Sequence, residues 1–241
     1  TNKRNAISLV VLNTRHSSDF VDEISYYYEL LKGAMACAQE SGYTLNFESV
    51  FWESIQEDEL FEKKIFGRAV DGVIVIPQFM YRCDFISMFE SEKFPYVIIN
   101  PGVDVNPQNR VLLDNYKGGR KAAEYLAEMG HKRILFINGP KDHVDAYYRE
   151  QGFMTELLHR GIKFDRRYMV YSDFTHLGGY YTMKRILSDN AYKMTAVFCA
   201  NDYMATGVMS AAHEAGLAIP KDLSVMGYDG MDISACVFPK L

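Results

Sequence analysis

Four polar side chains in the second half of the chain have the types and positions to grip a small polar molecule. Asn201 and Asp202 follow the apolar run Ala196-Val-Phe-Cys199, Asp229 follows Leu223-Ser-Val-Met226, and Arg149 lies in Ala146-Tyr-Tyr-Arg149-Glu-Gln-Gly152-Phe153. A guanidinium presents a rigid fork of donors that spans two adjacent hydroxyls or a carboxylate. An ionised aspartate only accepts, and a carboxamide both donates and accepts. The set suits hydrogen-bond capture of a hydroxylated ring rather than bond-making. Each residue also has a plain structural role open to it: Arg149 as an exposed helix arginine, Asp229 as a turn aspartate, Asn201 as a helix cap. Asp202 is the residue expected to cap, which leaves Asn201 for a ligand.

Catalytic signatures are missing from the sequence. It contains no Gly-x-Ser-x-Gly elbow, no phosphate-loop Gly-x-x-x-x-Gly-Lys and no dinucleotide Gly-x-Gly-x-x-Gly after the first strand. Gly118-Gly119 and Gly178-Gly179 stand near expected helix starts, where they are read as sites of close packing. The six histidines show no metal-type spacing; His131 and His213 are expected to cap helices or face solvent. No catalytic residue is assigned, and neither a cofactor nor a metal is expected.

The elements that must position these groups alternate. Ala6–Leu12 reads as a buried strand, then a helix from about Ile24 to Ser41, with Leu30, Leu31, Ala34, Met35 and Ala38 on its apolar face. Strands at Tyr43–Val50, Val70–Pro77 and Pro95–Asn100 follow, with helices expected near Gln56–Arg68 and Asp84–Ser91. Val111–Asp114 is a further short strand. The series then restarts: a helix from Asp114 or Asn115 to Gly130, a strand at Lys132–Asn138, a helix near Ala146–Arg160, a strand at Tyr168–Tyr171 and a helix near Leu177–Ser188. The two strands bearing Asn201 and Asp229 close it. Such alternation implies βαβ crossovers and parallel sheets. A break near Leu112–Asp114 divides the chain into two stacked α/β subdomains with a cleft between them, residues 1–112 and 113–238. Ligands of open α/β sheets bind at the carboxyl ends of the strands, where Asn201 and Asp229 fall.

At 241 residues, with 48 % hydrophobic and 24 % charged residues, the chain has material for a sizeable core. A net charge of −5 argues against a grip on nucleic acid by this segment itself. Lys3-Arg4 and Arg166-Arg167 are too short to make a basic patch. No apolar run approaches the roughly 18 residues that a membrane span needs. The four cysteines form no Cys-x-x-Cys pair; Cys37 and Cys199 lie in apolar runs and are expected to be buried thiols, which suits a cytoplasmic, reducing compartment.

Val70-Asp-Gly72, Asp114-Asn115, Gly130-His131, Arg149-x-x-Gly152-Phe153, Asn201-Asp202, Ala205-x-Gly207 and Pro220-Lys-Asp-Leu-Ser-Val-x-Gly-Tyr-Asp229 recur in order along the chain. In type and spacing they resemble the effector-binding domain of lactose/galactose-repressor-type transcription regulators, over nearly the whole chain. The resemblance implies a type I periplasmic-binding-protein-like fold, α/β with two doubly wound parallel-sheet subdomains. It also implies a homodimer whose grip on operator DNA is controlled by a small molecule. On this resemblance Arg149 sits on a helix facing the cleft and Phe174 lays its ring against the effector. Asn100 supplies a polar contact from the first subdomain. Among Tyr26, Tyr27 and Tyr28, Tyr27 is chosen as the aromatic that closes over it. Phe79 and Tyr81 are second-rank candidates of the same kind.

Relatives carry an N-terminal helix-turn-helix and continue past Pro239–Leu241, so the chain is expected to be a fragment at both ends, with residues 239–241 beginning a return to the first subdomain. One arginine, two carboxamides, one carboxylate and several aromatics favour a neutral mono- or disaccharide over a sugar phosphate, with a purine as the other option. The competing function on the same fold is a solute-binding protein feeding a sugar transporter.

Overall fold

The computed structural model describes residues 3–13, 20–51, 69–81, 85–189 and 192–241. The expected helix at Gln56–Arg68, together with Cys83, Asp84 and the Tyr26 side chain, lies outside the described residues. The chain divides into two compact units, Thr1–Leu113 and Asp114–Leu241.

The first unit holds, among the described residues, a five-stranded parallel sheet. Its strands are β1 (Ala6–Asn13), β2 (Thr44–Phe51), β3 (Gly72–Pro77), β4 (Tyr96–Ile99) and β5 (Arg110–Val111), in the order β2-β1-β3-β4-β5. β1 is apolar on both faces because it is covered on both. Val10 and Leu12 pack with Phe85, Ile86 and Phe89 of α2 (Phe85–Ser91). Leu9 and Val11 pack with Tyr27, Leu30, Leu31 and Ala34 of α1 (Phe20–Glu40). Met35 departs from the expected inward face and is exposed, as is Cys37. They flank the packed stripe of α1 on either side, so the apolar run there is broader than the stripe that packs.

The second unit has a four-stranded parallel sheet among the described residues, in the order β7-β6-β8-β9. These are β6 (Ile134–Asn138), β7 (Met169–Tyr171), β8 (Ala196–Cys199) and β9 (Ser224–Met226). Its helices are α3 (Asn115–Glu128), α4 (Val144–His159), α5 (His176–Ser188), α6 (Asp202–Glu214) and the short α7 (Ile233–Cys236). The core is built on three phenylalanines, with Phe136 and Phe198 centroids 4.6 Å apart and Phe153 of α4 at 4.9 and 5.2 Å from them. Cys199 is buried in this core, as expected.

Glycines set the helix spacing. A side chain on Gly119 would collide with the Arg149 carbonyl and one on Gly152 with that of Tyr116, so α3 and α4 pack backbone to backbone. Gly179 and Gly207 do the same for α5 and α6. The second glycine of each pair is therefore a helix-packing site, while Gly118 lies against the Tyr228 side chain and Gly178 against that of Asp173.

The strand order puts the reversal of winding in the second sheet between β6 and β8. Crossovers leave in opposite directions there, and the loops after the two strands part to leave a crevice where ligands of doubly wound sheets bind. That geometry selects the loops after Asn138 and Cys199.

Candidate functional site

Asp145, Arg149 and Phe153 follow one another at four-residue steps along one face of α4. Phe153 is buried between Phe136 and Phe198 and fixes the helix on the sheet. Arg149, one turn earlier, is thereby held at the carboxyl end of β8. His143 caps the helix, its Nδ1 accepting from the Asp145 N–H at 3.2 Å.

Arg149 is 3 % accessible. Its Nε donates to Asn115 Oδ1 at 2.9 Å and its Nη1 to the Ala200 carbonyl. Its Nη2 lies 3.5 Å from Asp229 Oδ1 and 4.0 Å from Asp145 Oδ2. The guanidinium carbon stands 3.9 Å from the centre of the Tyr228 ring, a cation–π contact. Asn115 ties the group together: its Nδ2 donates to Asp145 Oδ1 at 2.9 Å, and its Oδ1 also receives the Tyr228 hydroxyl at 3.4 Å. Asp114, not Asn115, caps α3, accepting from the Lys117 N–H.

Asp229 is exposed through its backbone, but its side chain is only 11 % accessible. Burial pushes its carboxyl up to about 6; Arg149 pulls it down, while Asp202 and Asp145 push it further up. Burial also raises the Asp202 carboxyl, against backbone donors at Met231, Gly230 and Tyr228. The Met231 N–H is 2.7 Å from Asp202 Oδ2. Burial lowers the His143 imidazole and favours its neutral form.

The expected division of labour between Asn201 and Asp202 is reversed. Asn201 caps α6, its Oδ1 accepting from the Met204 N–H at 2.9 Å, and its Nδ2 donates to the Phe174 carbonyl at 2.7 Å. Asp202 is drawn instead to the donors of the turn after β9. Phe174 packs on its own unit: its ring covers Gly139 and meets His143 edge-on at 4.9 Å. His131, expected to cap or face solvent, pairs with Thr195 through Nδ1 at 2.9 Å.

Asn100 and Tyr27 belong to the first unit. Asn100 Oδ1 accepts from the Leu113 N–H at 2.7 Å, and Tyr27 is buried beneath β1 with its hydroxyl accepting from Gln78. Tyr28 and Tyr81 are exposed and Phe79 is buried.

Asn100, Phe174 and Asp229 share one property. Each has a left-handed φ, +48°, +67° and +91°, among five such non-glycine residues in the described part of the chain. A side chain in that region is strained, and such strain gathers at functional sites. Asp145, Asn115 and Tyr228 are the members of the cluster that residue-type reasoning did not pick. The step of four from Asp145 to Arg149 is the signal that would have found the first.

Among the described residues no group of three or more His, Cys, Asp or Glu is placed to hold a metal. No helix among them is long and apolar enough to cross a membrane.

A sequence profile described as "Periplasmic binding protein-like domain" matches residues 123–241. The HTH-type transcriptional repressor PurR of Salmonella arizonae is 33 % identical over 211 residues, 87 % of this chain; the chain spans 61 % of that relative's length. A solved structure of the transcriptional regulator CelR in complex with cellobiose superposes with a TM-score of 0.85 at 27 % identity, over 99 % of this chain and 72 % of the other. A putative transcriptional regulator LacI from Bacillus cereus subsp. cytotoxis gives 0.86 at 26 % identity, over 100 % and 83 %. These likenesses join the motif series and the two parallel α/β sheets, and the chain is similar to lactose/galactose-repressor-type regulators, in the part of them that folds like a periplasmic binding protein.

Proposed function

We propose that this chain is the effector-binding part of a cytoplasmic, homodimeric transcription regulator. In this reading the effector is a mono- or disaccharide, taken up at the rim formed by Arg149, Asp229, Asn201 and Phe174. The observation that carries the proposal is the buried Arg149, which reaches the Ala200 carbonyl beside the reversal of winding in the second sheet, where doubly wound folds place ligands, and pairs with Asp229 from the turn after β9. A saccharide suits it because a fixed guanidinium and a neighbouring carboxyl answer adjacent hydroxyls, while the Phe174 ring offers an apolar face to a sugar ring. The cellobiose named with one solved relative supports the same class. Asn100 and Tyr27 of the first unit are the further contacts proposed from the family resemblance. Operator DNA is read through a helix-turn-helix outside this chain, and the chain turns over no substrate.

A ligand shifts an equilibrium only by the difference in its affinity for the two states. Saccharide binding is therefore expected to appear twice. The melting point of the chain rises, with about 2.7 kcal/mol of stabilisation at a hundredfold excess over Kd. The operator affinity of the full-length protein changes with the same sugar. A sugar that binds the full-length protein and leaves operator affinity unmoved removes the regulator reading and leaves a solute-binding protein in its place.

A further inference from the structure

The Arg149 cluster has an unequal balance of charge. Among the described residues, the elements packed around Asp229 bring Arg149 and Asp145 from α4 and Asp202 from α6. The neighbouring groups add no charge to offset this. Tyr228 is a phenol, and its hydroxyl is raised chiefly by burial. His143 is shifted toward its neutral form, and α3 contributes the Asn115 amide. Of the guanidinium, Nε donates to Asn115 and Nη1 to the Ala200 carbonyl, while Nη2 faces the two carboxylates at 3.5 and 4.0 Å.

We propose that Asp145 sets the charge class of the ligand: it gives Arg149 a second carboxylate to answer beside Asp229, and so bars anionic sugars and reserves the site for uncharged polyhydroxylated ones. The proposal rests on the reading of this rim as the ligand site. A phosphate or carboxylate arriving at Arg149 Nη2 meets two acids already facing it, and like charges brought together select against that partner. A sugar hydroxyl donates to Asp229 without adding charge. The Asp229 carboxyl is displaced upward chiefly by burial, and Asp202 and Asp145 add to it.

Asp145→Asn tests this with little disturbance, because the amide oxygen keeps the bond from Asn115 Nδ2. Calorimetric titration of the chain and the variant uses ribose, glucose and cellobiose against ribose 5-phosphate, glucose 6-phosphate and cellobionate. Carboxyl NMR follows the Asp229 titration midpoint in both proteins. In the unaltered chain a neutral sugar is expected to bind at least about tenfold more tightly than its anionic counterpart. In Asp145→Asn that ratio contracts to about threefold or less, and the Asp229 midpoint falls. Tighter binding of the anionic form by the unaltered chain overturns the proposal, and so does a folded variant with ratio and midpoint unmoved. Binding of none of the six probes overturns the reading of the rim as a saccharide site. The midpoint then still decides Asp145: a fall supports its control of the charge at Arg149, and a fixed value overturns it.

Discussion

Helix α4 carries two buried ionic centres of opposite balance. At one, a single carboxylate is answered twice: Glu156 accepts from Arg120 Nε and Nη2 at 2.9 and 2.6 Å and from Arg160 Nε at 2.8 Å. Those donors hold its carboxyl down at about 2. At the other, a single guanidinium is claimed by two carboxylates with a third behind them, and the Asp229 carboxyl stands at about 6. Both centres are shielded, with Glu156 and Arg149 each 3 % accessible. Burial raises the carboxyl at both centres; at Glu156 the two arginines outweigh it, and at Asp229 the one shared arginine does not. A centre with surplus donors holds its charge and stabilises the fold. A centre with surplus carboxylates holds one of them toward its neutral form, which suits a group that exchanges hydrogens with a ligand.

Removing Arg149 strips the second centre of its one cation. Arg149→Ala leaves Asp145, Asp202 and Asp229 facing one another and takes the donors from Asn115 Oδ1 and the Ala200 carbonyl. Breaking a buried pair from one side costs about 3–5 kcal/mol. Saccharide affinity is expected to fall roughly ten- to a hundredfold as well, at about 1.5–3 kcal/mol per charged hydrogen bond lost. Urea denaturation and calorimetry read the two effects separately. An unchanged affinity in a folded variant removes Arg149 from the site.

Glu156→Gln attacks the other centre and should leave ligand affinity alone. At pH 7 it is expected to cost about 1.5–3 kcal/mol, the range for hydrogen bonds to a charged group. The sign with pH follows from the lowered carboxyl. Its contribution is present above the unfolded value of 4.5 and is lost as the pH falls toward about 2. Denaturation at pH 7 and pH 3 should show the gap between variant and parent closing. A gap of constant width means the arginines stabilise through packing rather than charge.

Asp229→Asn should act in the reverse sense. The raised carboxyl makes the folded state hold its proton more tightly than the unfolded chain. Its contribution is therefore greatest below the ordinary value of 3.8 and is lost as pH rises toward about 6. Removing the charge is expected to stabilise the chain at pH 7 by roughly 1–2 kcal/mol and at pH 4 by close to nothing. Saccharide binding should weaken in the same variant. A stabilised protein that binds less well is the signature of a group kept for function at the expense of the fold; equal stability of parent and variant at pH 7 contradicts the surplus-carboxylate account.

Much of this was legible in the sequence, for reasons that differ from place to place. The strands showed because β1, β6 and β8 are covered on both faces and so are written as unbroken apolar runs. Arg149 was singled out through a helical motif and Asp229 through its place after a strand, and the fold sets the two 3.5 Å apart. The caps did not, because Asn and Asp are equivalent on local grounds. Asp202 leaves the capping position to Asn201 only because the turn at 228–231, distant in sequence, offers it backbone donors. Asp145 was hidden by an ordinary alternative, since an aspartate in the first turn of a helix already has a reason to be there. Met35 and Cys37 misled because an apolar residue in an apolar helix carries no mark of which side will be covered.

The smallest expected effect separates structure from binding at Asn201. Both ends of its amide are occupied within the second unit, by the Met204 N–H and the Phe174 carbonyl, whereas the family resemblance makes it a ligand contact. Asn201→Asp keeps an acceptor for the cap, because the two residues are about equal there. It exchanges the donor to Phe174 for a second acceptor, setting two oxygens against each other at the loop that carries the aromatic ring. The expected cost is about 1 kcal/mol of stability, the size of one neutral hydrogen bond. If Asn201 acts only by tying down the Phe174 loop, saccharide affinity falls by no more than about the same amount, some fivefold. A fall of a hundredfold with that modest loss of stability assigns the amide to the ligand itself. No change in either quantity would mean that the Phe174 loop is held by its ring packing on Gly139 and His143, and that the amide is a helix cap alone.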